Sequence, residues 1–152
     1  MVKEGTAAPV FKTTDANGET VNLKDFRGKK VVLYFYPKDD TPGCTKEACS
    51  FRDAFSKFKK QGIAILGVSP DSEKSHQKFT AKYKLPFTLL ADTDHSIADA
   101  YGVYGEKKFM GRTYMGIHRT TFLIDEKGKI KKVFEKVKPE DHADEVLGAF
   151  SG

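Results

Sequence analysis

Lys30-Val31-Val32-Leu33-Tyr34-Phe35-Tyr36 leads, after a short polar break, into Thr41-Pro42-Gly43-Cys44, and a second apolar run follows at Ile63-Ala64-Ile65-Leu66-Gly67-Val68. Continuous apolar runs of this length read as strands buried on both faces. Between them, Cys44, Ala48, Phe51, Phe55 and Phe58 recur at offsets of 0, 4, 7, 11 and 14, the spacing of one helical face. Residues 41–60 are therefore predicted as one amphipathic helix. Strand, helix and strand in this order call for parallel pairing through a right-handed crossover.

Towards the N-terminus, Asn17-Gly18 between two extended stretches signals a hairpin. Towards the C-terminus, 72–82 reads as a helix, 87–90 as a short strand, 94–101 as a short helix, and the glycine-punctuated stretch 102–116 as a long loop. Residues 117–124 and 129–135 then flank Asp125-Glu126-Lys127-Gly128 as an antiparallel hairpin, and a last helix spans about 139–150. The elements give an α/β class with a central mixed sheet, helices on both faces and an N-terminal hairpin. Element order alone leaves more than one α/β layering open.

At 152 residues the chain fits one domain, 1–152, with no linker, repeat or low-complexity tract. The start, Met1-Val2-Lys3-Glu4-Gly5-Thr6-Ala7-Ala8-Pro9, lacks the apolar core of a secretory signal, and no segment approaches the length of a membrane span. A cytoplasmic setting is expected, or an organellar one if a transit peptide has been removed. The net charge of +5 is spread as mixed pairs. Without a basic stripe interleaved with exposed aromatics, it does not point to nucleic acid.

Two cysteines in a chain without a secretory signal do not make a structural disulfide framework, which leaves catalytic, metal-bound or inert roles. With Thr41 as N-cap, Pro42 takes the first helical position and Cys44 the third. There the free backbone N–H groups and the positive end of the helix favour a thiolate. The competing reading is a small buried hydrophobe on the apolar stripe. Cys49, five positions on, is either a partner of Cys44 or a half-exposed residue without a role. Its spacing also falls within zinc-ligand range, but His76, His95, His118 and His142 are scattered and supply no downstream couple.

Pro37, Thr41 and Cys44 stand as Pro-x-x-x-Thr-x-x-Cys, the active-site signature of the peroxiredoxins. The string from Phe35 to Cys49 resembles the bacterioferritin comigratory protein branch, also called peroxiredoxin Q. The likeness runs on through Leu85-Pro86-Phe87, Tyr101-Gly102-Val103 and the stretch from His118 to Asp125. The resemblance implies a thioredoxin-like fold and a thiol peroxidase acting on hydrogen peroxide and alkyl hydroperoxides. It further implies a peroxidatic Cys44, a resolving Cys49 in the same chain, and thioredoxin or a similar dithiol as reductant. By the same resemblance Thr41 bonds the thiolate and the peroxide, Pro37 shields the site from water, and Arg119 stabilises the thiolate and the developing charge. No metal, haem or flavin is called for, because sulfur supplies both electrons.

Each role has a plainer alternative. Thr41 is also a plain N-cap. Pro37 is ordinary strand-end punctuation. Arg119, read within a strand, falls on the face of Thr121 and Leu123, where burial requires an anion; that anion is a thiolate or a carboxylate such as Asp92 or Glu47. Asp94 is read as the cap of a helix starting at His95, and His118 as a packed histidine. Phe109, Met110, Tyr114 and Met115 either line an apolar entrance for alkyl peroxides or cover the core.

In an intact helix, Cys49 lies about 140° around and some 7.5 Å along the axis from Cys44. The implied disulfide, which needs α-carbons within about 7 Å, therefore requires the first turns to unwind. Resolution within one chain removes one reason to dimerise, so a monomer is expected. Two rivals stand beside the peroxidase. A thioredoxin-type oxidoreductase would use Cys-x-x-Cys rather than the four-residue gap seen here. A redox-sensing or chaperone-like protein would switch on the same cysteine pair.

Overall fold

The computed structural model describes residues 1–151. Its elements run β1 (Lys12–Asp15), β2 (Thr20–Asn22), β3 (Lys30–Phe35), α1 (Pro42–Asp53), α2 (Phe55–Lys60), β4 (Ile63–Ser69), α3 (Glu73–Tyr83), β5 (Thr88–Ala91), α4 (Ser96–Tyr101), β6 (Tyr104–Phe109), β7 (Arg112–Ile117), β8 (Thr120–Ile124), β9 (Ile130–Glu135) and α5 (His142–Ser151). A 3-10 turn, Leu23–Phe26, follows β2.

A seven-stranded mixed sheet has the order β2-β1-β5-β4-β3-β8-β9. At its centre β3 pairs in parallel with β4, Val31 opposite Ala64 and Phe35 opposite Val68, and antiparallel with β8, Phe35 opposite Thr120. Alternation along β3 divides the core. Val32, Tyr34 and Tyr36 pack with Cys44, Ala48 and Phe51 of α1, Phe79 of α3 and Val146 of α5. Val31, Leu33 and Phe35 pack on the other face with Ile97, Ala98 and Tyr101 of α4. Period-two side-chain geometry requires this split.

Gly67 of β4 permits the closest approach in the first layer. A Cβ there would come within 2.8 Å of Tyr34 Cζ, and the Tyr34 ring crosses that space to stack on Phe51, 4.9 Å between centroids. The N-terminal hairpin forms as expected. Gly18 takes φ +77°, and Asp15 Oδ1 accepts from the backbone N–H groups of Asn17 and Glu19 at 2.8 and 3.0 Å.

Four expectations change. The helix predicted over 41–60 is divided at Ala54, whose φ −98° and ψ 3° leave helical geometry. Phe51 and Phe58 still share the core, their rings 5.8 Å apart, so the apolar period runs through the break. The loop predicted over 102–116 is instead the β6–β7 hairpin, a separate two-stranded sheet. Its turn is Met110-Gly111, with φ +52° and +78°, so both central residues take the mirror-image conformation that twisted hairpins favour. Phe109 and Met110 are 66% and 86% exposed, so the apolar residues of the stretch do not mark one buried face, the pattern from which a strand is read.

The strand predicted over 117–124 divides as well: β7 ends at Ile117 and β8 starts at Thr120, with His118 and Arg119 between them. Finally, α4 starts at Ser96, and the carboxylate that caps it is Asp92, which accepts from Ile97 N at 3.0 Å and Ala98 N at 2.9 Å. Asp94 accepts from Ser96 N at 3.1 Å, ahead of the helix.

Candidate active site

The first turn of α1 holds Cys44 at its third position, and the residue is 2% exposed. Thr41 occupies the cap position without a side-chain capping bond. Its hydroxyl donates to Lys38 O at 3.0 Å. The plain N-cap alternative thus has no side-chain bond behind it: the Thr41 proton is committed to the loop, and the oxygen keeps acceptor capacity.

Arg119 reaches across from the start of β8. Its Nη2 donates to Cys44 Sγ at 3.2 Å and its Nη1 to Glu47 Oε1 at 2.6 Å. Of the two carboxylates weighed for this arginine, Glu47 is the partner and Asp92 is not. Glu47 is fully buried, and its second oxygen, Oε2, has no hydrogen-bond partner. Burial pushes its carboxyl up to about 7, with the guanidinium pulling the other way. Burial opposes the charge on Arg119 in turn, but Glu47 and Cys44 outweigh it and hold the guanidinium above its ordinary pKa. The buried carboxyl thus depends on the half-buried guanidinium for its charge partner.

Gly43 makes room for this contact, since a Cβ there would stand 3.3 Å from Arg119 Nη2. A cavity of about 310 Å³ opens beside Arg119, lined by Met1, His118, Thr120, Glu135, Lys136 and Val137.

The loop from Pro37 to Thr41 is held from below by α3. Pro37 itself is half-buried in the bend after Tyr36. Asp39 accepts from Tyr36 OH at 2.6 Å and Ser75 Oγ at 2.8 Å, and it faces His76 Nδ1 at 2.7 Å. Its own N–H donates to Asp71 at 2.8 Å. Asp40, at φ +58°, accepts from Lys82 Nζ at 2.7 Å and Tyr83 OH at 2.8 Å, and those bonds lower its pKa. Sequence reading missed Gly43, Asp39, Asp40 and His76 as supports of the site. Asp39 and Asp40, adjacent acidic residues in the short loop between β3 and α1, carry the one signal that was available.

Cys49 lies on α1, half-buried, and both thiols are free. Beneath that helix, His142 meets Phe51 edge to face at 5.6 Å and bonds Thr121 Oγ1 through Nε2 at 2.7 Å. With Nδ1–H donating to Glu145 at 3.0 Å, Nε2 accepts the Thr121 proton in the neutral ring, and burial lowers the His142 pKa against the pull of Glu145. The four histidines lie in separate environments, and among the described residues no group of three or more His, Cys, Asp or Glu could hold a metal. His118 donates its backbone N–H to Val103 O at 2.8 Å, but the residue is exposed rather than packed as expected, because it lies in the break between β7 and β8. Phe109, Met110, Tyr114 and Met115 are exposed on the β6–β7 hairpin and do not cover the core. No helix among the described residues is long and apolar enough to cross a membrane.

A thioredoxin-like mixed α/β sheet that presents a buried helix-N-terminal thiol to a half-buried guanidinium defines a thiol-chemistry enzyme. Residues 5–133 match the AhpC/TSA family, and the chain belongs to that family as a peroxiredoxin of the Bcp, or peroxiredoxin Q, branch. It is 51% identical over 146 residues to peroxiredoxin Bcp of Escherichia coli K12, covering 96% of this chain and 94% of the relative. Identity to peroxiredoxin Bcp of Bacillus subtilis is also 51%, covering 96% and 93%. A cysteine-to-serine mutant of Xanthomonas campestris peroxiredoxin Q superposes with a TM-score of 0.88 at 41% identity, covering 93% of this chain and 90% of that one. The thioredoxin-like fold and the peroxidase class expected from the signature therefore hold.

Proposed function

We propose that this peroxiredoxin reduces hydrogen peroxide and organic hydroperoxides by a Cys44 sulfenic acid and a Cys44–Cys49 disulfide, with thioredoxin or a similar dithiol closing the cycle. The observation that carries the reading is the 3.2 Å contact of Arg119 Nη2 with Cys44 Sγ at the N-terminus of α1. A structure of the Xanthomonas campestris bacterioferritin comigratory protein concerns alkyl peroxide reduction, which supports the substrate class.

The Cys44 thiolate attacks the distal peroxide oxygen along the O–O axis. The S–O bond forms as the O–O bond breaks, and the proximal oxygen leaves with the electron pair as water or an alcohol once protonated. Arg119 meets the negative charge as it spreads from sulfur to oxygen. Thr41 Oγ1, its own proton held by Lys38 O, accepts from the peroxide O–H and orients it. Pro37 keeps water from the thiolate. The Cys49 thiol then condenses with the sulfenic acid, releasing water, and an external dithiol reduces the disulfide by two thiol exchanges. Resolution within one chain suits a monomer acting as a single domain in the cytoplasm.

The test follows NADPH consumption with thioredoxin, its reductase and hydrogen peroxide. Cys44→Ser should abolish turnover, and activity that survives it would sink the mechanism. Cys49→Ser should lose thioredoxin-dependent turnover while keeping one reduction of peroxide per chain. Full turnover in that variant would remove the Cys44–Cys49 step and leave the peroxidase standing. A wild-type chain that oxidises once and does not cycle would favour a redox-sensing or chaperone-like role.

A further inference from the structure

The Thr41 hydroxyl proton rests on Lys38 O at 3.0 Å, so the freedom of Thr41 Oγ1 to accept from a peroxide depends on where that carbonyl points. Lys38 C=O and Asp39 N–H belong to one planar peptide unit, and no peptide bond among the described residues is cis. In a trans unit the two groups point in opposite directions. Whatever fixes the Asp39 N–H therefore aims the Lys38 carbonyl.

We infer that Asp71 is a positioning residue of the peroxidatic site: by holding the Asp39 N–H it aims Lys38 O at the Thr41 hydroxyl, and so leaves Thr41 Oγ1 open to the peroxide. Asp71 Oδ2 accepts from Asp39 N at 2.8 Å. The same oxygen accepts from Ser69 Oγ at 2.6 Å, and Asp71 N donates back to Ser69 Oγ at 3.3 Å. Ser69 ends β4 and is 1% exposed, and its carbonyl accepts from Asp92 N at 3.0 Å. The carboxylate is thus anchored to the sheet rather than to the loop it holds. The Asp39 side chain is fixed separately, by Tyr36, Ser75 and His76. Rotation of the Lys38–Asp39 peptide unit would break the Asp71 bond while that side chain stays clamped.

The bonds of the Asp71 carboxylate run to Asp39 and Ser69, and that of the Cys44 sulfur to Arg119. Loss of the carboxylate therefore leaves the helix N-terminus and the guanidinium beside the thiol as they are. What it releases is the Lys38–Asp39 peptide and, with it, the Thr41 hydroxyl, whose proton is then free to turn into the space from which the oxygen accepts. Asp71 acts on the orientation of the peroxide and not on the reactivity of the thiol.

This inference rests on Thr41 accepting from the peroxide, so the test separates the two. In a Cys49→Ser background Cys44 is the sole thiol. Its oxidation by hydrogen peroxide and its reaction with methyl methanethiosulfonate, a small reagent without O–H or N–H, are each followed by intact mass. Thr41→Val and Asp71→Ala should each slow oxidation by about tenfold, and Asp71→Asn, which keeps an oxygen acceptor, should recover most of that loss. All three should react with the thiosulfonate within about twofold of the parent, and Asp71→Ala added to Thr41→Val should cost nothing further, because residues acting through one contact are not additive. Thr41→Val oxidising at the parent rate would overturn the reading of Thr41 and the inference with it. A slow Thr41→Val beside an Asp71→Ala at the parent rate would overturn the role of Asp71 alone. A further loss in the double variant, or an Asp71→Ala equally slow with both reagents, would overturn that role as well. Circular dichroism checks folding. If Asp71→Ala does not fold, Ser69→Ala, which keeps the carboxylate and removes its tether, takes its place under the same criteria, with an expected loss of about threefold.

Discussion

Arg119 Nη2 stands 3.2 Å from Cys44 Sγ although 75 positions separate the two residues. The contact exists because β8 runs antiparallel to β3 and so brings its first residues to the end of the sheet where α1 begins. Two independent sources of positive potential, the helix N-terminus and the guanidinium, thus converge on one sulfur.

Removal of the guanidinium should slow the reaction of Cys44 with peroxide by roughly 100-fold, the scale of losing one preorganised donor to a developing charge. Arg119→Lys should recover little of this. A single ammonium cannot fork between Glu47 Oε1 and Cys44 Sγ as Nη1 and Nη2 do. Stopped-flow measurement of the first oxidation step checks this, and an Arg119→Met protein as fast as wild type would refute it.

Glu47 should impose a pH dependence on stability. Its carboxyl titrates near 7 in the folded chain against an ordinary value of 4.5. Below pH 4.5 both folded and unfolded chains hold the proton and nothing is lost. Between 4.5 and 7 the unfolded chain releases it first, so stability falls as pH rises, and above 7 the loss is complete at roughly 3 kcal/mol. Glu47→Gln should abolish this slope. Urea unfolding of the reduced protein across that range should show the two stability curves diverging with pH. His142 and other groups titrate in both proteins and cancel in the difference, so parallel curves would refute the assignment.

The parts of the fold legible in the sequence are those whose pattern and burial agree. Val32, Tyr34, Cys44, Ala48 and Phe51 announce β3 and α1 because each faces a single core layer. The β6–β7 hairpin escaped for the opposite reason: Phe109, Met110, Tyr114 and Met115 are exposed, and Met110-Gly111 does not read as a turn of the Asn-Gly kind. The site divides in the same way. Cys44 is visible from local helix chemistry, and Arg119 from the cost of an arginine on an inward face. Asp39 and His76 meet 37 positions apart through β3 and α3, a pairing that no local spacing encodes.

Gly43→Ala should separate activity from stability. Alanine is the better helix former by about 1 kcal/mol, and no backbone lies in the way of its methyl. The neighbour that must give is Arg119 Nη2, 3.3 Å from the new Cβ. A flexible guanidinium yields a few tenths of an ångström at little cost to folding, but it yields away from Cys44. The variant should melt no lower than wild type while its peroxide step slows by up to about tenfold. A loss of stability with an unchanged rate would show that the guanidinium is not what this glycine accommodates.

Disulfide formation should dismantle the front of α1. An intact helix holds residues five apart some 7.5 Å apart along the axis and on different faces, outside the roughly 7 Å between α-carbons that a disulfide spans. Unwinding detaches Glu47 from Arg119 and loosens the two links from α1 to the start of α5, Ser50 Oγ accepting from Ala143 N at 3.2 Å and Lys46 with Glu140 at 3.1 Å. Hydrogen exchange of the oxidised chain should therefore show backbone amides of residues 43–49 losing protection by at least about tenfold, with β3 and β4 unaffected, because local opening is confined to weakly packed cooperative units. The Cys44→Ser protein treated with peroxide should show no change. Full protection across α1, in a sample whose Cys44–Cys49 bond is established by peptide mass spectrometry, would mean that the helix accommodates the bond without unwinding.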